Sequence, residues 1–371
     1  MQRDALRSNF DRVSEAAGVP VCAVIKANGY GHGLVESALA FLEAGAAMLA
    51  VSRVAEAELL RNAGVTGDIL LLVPPSDPAA AVANGCEFMW DDVMRPLPPG
   101  SRVHLKVDVG MGRFGVTPRD AVDAALRLRE SGSLVGLATH FPDAASSVTG
   151  AQLRGFTEVV AAVRAALEEY GGDASRGGGA ERAEGALGLR VHAANSAALL
   201  AHPGSRFDMV RVGTLLYGQD PPGVRAPWNA PETFAWYARV ASVRELPAGS
   251  SVGYGREWLA EKPTRIATLP IGWADGFSTE PAPRSPSRRE TLARIKRAVS
   301  AHRKDPRHVI FTAAPDGADL QIADPRAQVI GRVSMQTTTV AVSDPNIVVG
   351  SVARIPARRL MVLPAIPRIW V

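Results

Sequence analysis

Residues 21–73 read VCAVIKANGYGHGLVESALAFLEAGAAMLAVSRVAEAELLRNAGVTGDILLLV, and three short apolar runs alternate there with more polar segments. The runs are VCAVI (21–25), AAMLAV (46–51) and ILLLV (69–73), while RVAEAELLRNA (53–63) places its apolar residues at helical spacing. Apolar runs of this length are typical of strands that are buried on both faces, as in parallel sheets covered by helices. The stretch therefore predicts successive strand-helix-strand units.

The same alternation continues to residue 213. Five more apolar runs follow, namely CEFMW (86–90), VHLKVDV (103–109), LVGLATH (134–140), VHAAN (191–195) and DMVRVG (208–213). Helical segments such as PRDAVDAALRLRE (118–130) separate most of them. Eight strands that alternate with helices are the pattern of a (β/α)8 TIM-type barrel, although an open doubly wound sheet gives a similar string. We predict the barrel over residues 1–218.

The pattern changes after Gly218. PPGVRAPWNAPE (221–232) is a proline-rich connection, and β-type runs dominate beyond it: WYARVASVREL (236–246), RIATLPIG (265–272), HVIFTAA (308–314) and VSMQTTTVAV (333–342). A second, mainly β domain is therefore predicted over 219–371, with a basic insertion around 280–324. The glycine-rich stretch 171–185 is predicted to be a surface loop.

The formal net charge of +4 is concentrated in residues 284–307, where apolar residues at helical spacing predict a short surface helix with a cationic face. No aromatic interleaving accompanies this charge, so we expect no nucleic-acid binding. The two cysteines, Cys22 and Cys86, lie in apolar runs without metal-ligand spacing, and no metal site is expected. A charged N-terminus and the lack of long apolar runs predict a cytoplasmic protein without membrane attachment.

Reactive residues follow the predicted barrel strands. In a barrel, catalytic groups lie at the carboxyl ends of the strands. Those ends carry Lys26 after strand one, Asp108 and then Arg113 after strand five, His140 after strand six, Asn195 and Ser196 after strand seven, and Arg211 and Gly213 on strand eight. Chance alone does not explain so many reactive groups at these positions.

Lys26 directly follows an apolar strand. Burial lowers the pKa of an amine and makes it nucleophilic toward an aldehyde, and the Schiff base formed with pyridoxal no longer carries a free ammonium. Viewed alone, Lys26 also fits a lysine whose ammonium reaches water at the barrel rim. Ser196 and the backbone N–H groups around Gly213 lie where barrels commonly bind phosphate, although Ser196 also fits a helix N-cap in NSAALL.

These residues belong to motifs that resemble the alanine racemase family along nearly the whole chain. The motifs are AVIKANGYGHG, HLKVDVGMGRFG, THF, HAANSAALL, VRVGTLLYG, SSVGYGREW, LPIGWADGF and GRVSM, in the family's order. The resemblance implies a pyridoxal 5′-phosphate enzyme that works as a head-to-tail homodimer with shared active sites. Lys26 would hold the cofactor, and Arg113 and Met335 would contact an amino-acid substrate. The implied cofactor contacts are Tyr30, His140, Asn195, Ser196, Arg211, Gly213 and Trp370.

Arg211 is implied to lie beside the pyridine nitrogen, where a guanidinium cannot accept a proton and keeps that nitrogen unprotonated. This weakens the electron sink and argues against decarboxylation. Racemisation needs a base on each face of a planar carbanion. The resemblance assigns the proton of D-alanine to Lys26 and that of L-alanine to Tyr254, from the partner's β domain.

The leading hypothesis is therefore interconversion of L- and D-alanine, supplying D-alanine for peptidoglycan. Three alternatives remain: racemisation of another amino acid such as serine, a non-catalytic pyridoxal phosphate carrier, and an interaction protein that uses the basic insertion. Tyr254 and the β domain argue against the carrier.

The chain departs from the family pattern at several positions. Gln336 replaces an aspartate beside Met335, Trp273 replaces an entrance tyrosine, and Trp370 replaces a tyrosine that contacts the phosphate. Because of these replacements, the family resemblance does not fix which amino acid is the preferred substrate. Lys106 lies where many family members carry a carbamylated lysine, and an ion pair with Asp108 or another neighbouring acid is the alternative.

Overall fold

The computed structural model describes residues 1–171, 188–277, 308–312, 326–355, 366–367 and 369–370. The chain forms two compact units, Met1–Thr233 with Ile369–Val371 and Phe234–Arg368. The helix predicted within 284–307 and nearly all of the loop predicted at 171–185 lie outside the described residues.

Eight parallel strands form the predicted barrel of the first unit: β1 (Val21–Val24), β2 (Met48–Val51), β3 (Ile69–Leu71), β4 (Cys86–Trp90), β5 (Arg102–Lys106), β6 (Leu134–Ala138), β7 (Arg190–His192) and β8 (Val210–Val212). The strands pair in chain order from β1 to β7, and β8 pairs with β1. Cys22 therefore has a parallel partner on each side, Met48 of β2 and Arg211 of β8. An isolated parallel bridge between His192 and Met209 joins β7 to the start of β8. This nearly closed ring confirms the barrel and excludes the open sheet.

The helices of the first unit are α1 (Arg3–Ala17), α2 (Lys26–Tyr30), α3 (Leu34–Glu43), α4 (Val54–Asn62), α5 (Pro78–Ala83), α6 (Ala121–Glu130), α7 (Thr149–Gly171) and α8 (Ser196–Ala201). Most of them connect consecutive strands, as the alternating pattern predicts. In the described ranges, no helix combines the length and the apolar character needed to cross a membrane.

The barrel strands separate two cores. On β1, Val21 and Ala23 pack in a cluster shared with the helices, whereas Cys22 and Val24 belong to a second cluster inside the ring. Successive side chains of a strand point to opposite faces, so both cores are filled by one apolar run. The same alternation turns five polar or charged residues into the ring: Glu87, His104, Lys106, His192 and Arg211.

The proline-rich connection belongs to the barrel unit. Arg12 of α1 donates to the carbonyl of Asn229 at 2.9 Å, and the Thr233 hydroxyl donates to the carbonyl of Tyr217 at 2.9 Å. His32 lies 2.9 Å from the same hydroxyl. The units consequently divide after Thr233, whereas the sequence pattern placed the domain boundary after Gly218.

The described part of the second unit contains one large antiparallel sheet of seven strands: β9 (Trp236–Arg239), β10 (Ser242–Leu246), β13 (Thr264–Leu269), β14 (His308–Thr312), β15 (Arg326–Ile330), β16 (Thr338–Ala341) and β17 (Val352–Ile355). Their order in the sheet is β10-β13-β16-β15-β14-β17-β9. A separate antiparallel pair joins β11 (Ser251–Val252) to β12 (Trp258–Leu259). The mainly β character of this domain is thus confirmed.

Candidate active site

Lys26 begins a left-handed turn one residue after the end of β1. Ala27 (φ 54°, ψ 52°), Asn28 (φ 56°, ψ 48°) and Tyr30 (φ 52°) all have positive φ. Left-handed helical conformation costs roughly 1–2 kcal/mol for each residue that has a Cβ. Specific contacts offset this cost, since Glu56 accepts the N–H of Ala27 at 2.9 Å and the Asn28 side chain accepts the N–H of Leu34 at 3.0 Å. The turn holds the Lys26 and Tyr30 side chains at its two ends.

The environment of Lys26 favours the neutral amine. Burial and then the nearby Arg113 hold the pKa of the Lys26 amine below its usual value, and Glu56 opposes this shift. A neutral amine is the form that attacks an aldehyde.

Tyr30, Gly213 and Ser196 form a compact cluster. The Tyr30 ring stacks on Tyr217 with the ring centroids 4.8 Å apart. A Cβ at Gly213 would collide with the Tyr30 hydroxyl, so any larger residue there would displace the Tyr30 side chain. The N–H of Gly213 donates to Ser196 Oγ at 3.2 Å.

The residue that caps α8 is Asn195 and not Ser196. The Asn195 side-chain oxygen accepts from the N–H groups of Ala197 (3.1 Å) and Ala198 (2.9 Å), and its amide donates to the carbonyl of Phe141 at 3.2 Å. The N-cap alternative for Ser196 is therefore wrong. Asn195 instead orients the helix that presents the Ser196 hydroxyl.

Seven buried side-chain atoms of the barrel unit have no hydrogen-bond partner among the described residues. Two of them are Thr214 Oγ1, next to Gly213, and Trp370 Nε1. Trp370 packs against the barrel core. Buried polar atoms normally have hydrogen-bond partners, so these two atoms are available to hydrogen-bond to a polar group that binds beside them.

Arg211 is buried in the ring and held by many acceptors. Its guanidinium donates to the carbonyls of Thr139 (2.7 Å) and His192 (3.0 Å) and lies 2.6 Å from His192 Nδ1. His140 Nδ1 lies 3.4 Å away. Burial lowers the pKa of Arg211 to about 10, so the side chain remains a cation at neutral pH. Burial and then Arg211 lower the pKa of His140 to about 2, which keeps that imidazole neutral.

Three buried residues that the sequence analysis did not single out extend this group. His192 Nε2 lies 2.7 Å from His104 Nδ1, and His104 Nε2 lies 2.7 Å from Glu87 Oε2. Glu87 also contacts Arg102 at 2.6 Å and Arg190 at 3.1 Å. These three residues point into the barrel because side chains alternate between the two faces of each strand. That alternation within CEFMW, VHLKVDV and VHAAN is the sequence signal by which they could have been found.

Lys106 does not form the ion pair with Asp108 that was considered as the alternative to carbamylation. The Asp108 carboxylate instead accepts from the N–H groups of Gly110, Met111 and Gly112 at 2.7–2.8 Å. Burial, followed by Arg211 and Arg113, places the pKa of Lys106 well below its usual value. Lys106 is therefore a buried amine that tends toward neutrality.

The second unit brings three of the sequence motifs together. The N–H of Trp273 donates to the carbonyl of Ser334 at 3.1 Å, and the N–H of Ala274 donates to the carbonyl of Met335 at 2.9 Å. A Cβ at Gly253 would lie 3.2 Å from the N of Arg332, so the Tyr254 loop runs against the same segment. Tyr254, Trp273 and Met335 are 71%, 49% and 56% exposed. This unit thus presents the three side chains to its surroundings.

Comparison with known proteins identifies the family. Residues 1–177 and 178–221 match the profile described as "Alanine racemase, N-terminal domain", and 233–299 match "Alanine racemase, C-terminal domain". The alanine racemase of Thermobifida fusca (strain YX) is 36% identical over 318 residues, covering 78% of this chain and 79% of the relative. The catabolic alanine racemase of Pseudomonas putida (strain KT2440) is 33% identical over 362 residues, covering 94% and 86%.

Solved structures agree with the sequence relatives. The alanine racemase of Bacillus anthracis with bound L-Ala-P superposes with a TM-score of 0.75 at 25% identity, covering 100% of this chain and 94% of that one. The alanine racemase of a D-cycloserine-producing Streptomyces lavendulae gives a TM-score of 0.76 at 25% identity, covering 100% and 96%. With its barrel, its β domain and these matches along most of its length, the chain belongs to the alanine racemase family.

Proposed function

We propose that the protein interconverts L- and D-alanine with pyridoxal 5′-phosphate, and that Lys26 and Tyr254 are its two bases. The observation that carries the proposal is the left-handed turn after β1. It holds an amine of lowered pKa at Lys26 and, at its other end, the Tyr30 hydroxyl against Gly213. One element therefore serves both the aldehyde and the phosphate of a single cofactor.

The residues present fit this cofactor. The Tyr30 and Ser196 hydroxyls and the N–H of Gly213 would hold the phosphate, and the unpaired Trp370 Nε1 supplies one further donor. Arg211 would hold the ring nitrogen, with the neutral His140 beside it. When bound, pyridoxal phosphate supplies an aldehyde for Lys26 and a conjugated ring that accepts the electron pair left on the substrate Cα.

Arg211 selects the reaction type. Its guanidinium donates hydrogen bonds and accepts no proton, so it would hold the ring nitrogen of the bound cofactor without protonating it. The cofactor would then withdraw electrons only weakly, which would favour return of a proton to Cα over decarboxylation.

Two bases on opposite faces of Cα complete the proposal. Lys26 Nζ exchanges the proton of the D-enantiomer and the phenolic oxygen of Tyr254 that of the L-enantiomer. Tyr254 and Met335 are exposed on the second unit and are available to a partner chain. We therefore propose a homodimer in which each site combines residues of both subunits, acting in the cytoplasm to supply D-alanine for peptidoglycan.

Arg113 would bind the substrate carboxylate, as a guanidinium does through paired hydrogen bonds. The pKa of Lys106 is well below its usual value, which favours the neutral amine. The neutral amine is the form that reacts with carbon dioxide to give a carbamate. The resulting carbamate would be an anion that orients Arg113. Gln336, beside Met335, is the position at which a preference for serine would arise.

The test is incubation of the protein, loaded with pyridoxal phosphate, with L-alanine and separately with L-serine, followed by chiral chromatography. We expect D-alanine to form, and we expect its formation to be lost in both Lys26→Ala and Tyr254→Phe. A greater yield of D-serine would assign a serine racemase. Lysine-bound cofactor without turnover of either amino acid would refute the racemase and favour a carrier.

A further inference from the structure

Four buried side chains form a continuous hydrogen-bonded line across the inside of the barrel. Arg211 on β8 lies 2.6 Å from His192 on β7, which lies 2.7 Å from His104 on β5, and His104 lies 2.7 Å from Glu87 on β4. All four are at most 5% exposed. Water therefore does not supply alternative partners along this line.

The positions of the protons follow from the two ends of the line. Burial raises the pKa of Glu87, but the hydrogen bonds from His104 and Arg102 and the positive charge of Arg190 outweigh it and bring that pKa to about 2, so the carboxylate only accepts. His104 Nε2 must then donate, which leaves His104 Nδ1 as an acceptor in a neutral imidazole. His192 Nε2 donates to that nitrogen, and His192 Nδ1 accepts from the Arg211 guanidinium.

Both histidines are neutral in this arrangement. Burial is the first cause that lowers the pKa of His104 and of His192, and Arg211 lowers both further. The hydrogen bond and the charge of Glu87 oppose this shift at His104, whose pKa still lies below its usual value. Each neutral ring has one donor and one acceptor, so the direction of one bond fixes the direction of the next.

We propose that Glu87 is a positioning residue for the racemase: it fixes the direction of the Glu87-His104-His192-Arg211 line, so that Arg211 meets an acceptor nitrogen. If the line were reversed, the Nδ1–H of His192 would oppose an N–H of Arg211, and the guanidinium would move. The role of Arg211 at the cofactor nitrogen rests on the proposed function.

The test uses holoenzyme with Glu87→Gln, because a glutamine amide has almost the same shape but both donates and accepts. The variant therefore removes the constraint on direction at the Glu87 end and leaves only the Arg211 guanidinium, which would have to move if the line reversed. Arg102→Gln is the matched control, since Arg102 contacts the other carboxylate oxygen, Oε1, and lies outside the line. For each protein we would measure kcat and KM for alanine, and the pH titration of the absorbance of the bound cofactor.

We expect Glu87→Gln to lower kcat on the order of 10-fold to 100-fold, as small displacements of catalytic groups do, with KM changed less than about twofold. The absorbance titration should shift in the same variant and stay unchanged in Arg102→Gln. Wild-type kcat and absorbance in Glu87→Gln would overturn the proposal, and so would equal effects in the two variants.

A second measurement keeps the proposal falsifiable if Glu87→Gln does not fold. Imidazole ¹⁵N spectra of the wild-type holoenzyme, assigned from nuclear Overhauser contacts, should show His104 and His192 with Nε2 protonated and Nδ1 unprotonated. A proton on Nδ1 of either ring would refute the line. This readout and the absorbance titration need no turnover, so a failure of the racemase proposal is distinguishable from a failure of this one.

Discussion

The Tyr30 hydroxyl occupies the space that a side chain at Gly213 would need. Gly213→Ala therefore forces Tyr30 away from the cluster that we assign to the phosphate. Overpacking of this kind costs about 1–3 kcal/mol, which we expect to appear as weaker binding of pyridoxal phosphate. A fluorescence titration of the cofactor-free protein measures the dissociation constant.

Gly155→Ala is the matched control for that titration, because Gly155 lies in α7 and a Cβ added there would meet no atom within 4 Å. Its cofactor affinity should equal that of the wild type. Equal affinity of Gly213→Ala and the wild type would disprove the assignment of this cluster.

The lowered pKa of Lys26 predicts that its amine is chemically labelled at a lower pH than an ordinary lysine. Because its amine loses its proton at a lower pH than usual, Lys26 in the cofactor-free protein should react with acetic anhydride at lower pH than a free lysine amide in solution. Mass spectrometry across a pH series gives the pH at which each amine is half-labelled. Arg113→Gln removes a cation that lowers this pKa and should raise the half-labelling pH of Lys26. Equal half-labelling pH values for Lys26 and the free lysine amide would contradict the prediction.

Glu56 should control the stability of the left-handed turn. Its carboxylate accepts the N–H groups of Ala27 (2.9 Å), Ser52 (2.9 Å) and Arg53 (3.1 Å). Glu56→Ala should destabilise the protein by about 1–3 kcal/mol and accelerate hydrogen exchange at Ala27. Glu58→Ala, an exposed position on the same helix, serves as the control. If both variants exchange alike at Ala27, the role assigned to Glu56 is wrong.

Two buried imidazoles, His104 and His192, and the half-buried His140 predict a loss of stability in mild acid. Burial is the main cause that lowers the pKa of His104, His140 and His192. The unfolded chain takes up these protons near pH 6.5 while the folded protein does not, so stability present above that pH is lost as the pH falls. Each proton lowers the free energy of unfolding by about 1.4 kcal/mol per pH unit.

The urea midpoint of unfolding should therefore decrease from pH 7 to pH 5. Glu87 does not act in this range, because its pKa falls from 4.5 to about 2 on folding and its contribution is lost only between those values. An unchanged midpoint would show that these imidazoles are protonated in the folded protein.

All eight barrel strands were predictable because each is buried on both faces and therefore forms an almost continuous apolar run. Their ends were less predictable. The fifth run was predicted at 103–109, whereas β5 is Arg102–Lys106, because apolar residues continue into the loop at its carboxyl end. In the second unit, β15 and β17 were not singled out, since short antiparallel strands leave a weaker pattern.

The stretch at 280–324 shows a similar limit. The insertion expected there stays a prediction, and the β-type run HVIFTAA within it contains β14 at His308–Thr312, which pairs with both β15 and β17. A strand's neighbours depend on pairings with distant segments, which local composition does not encode.

The sequence by itself determined the strand-helix alternation, the inward or outward face of each strand residue, and the reactive groups at the strand ends. These follow from local periodicities of two and 3.6 residues. Only the tertiary structure decided that β8 pairs with β1 and that His104 meets His192, 88 positions apart in the chain. Ring closure and burial create those contacts, and burial is also what makes the two histidines neutral and gives their hydrogen bonds a direction.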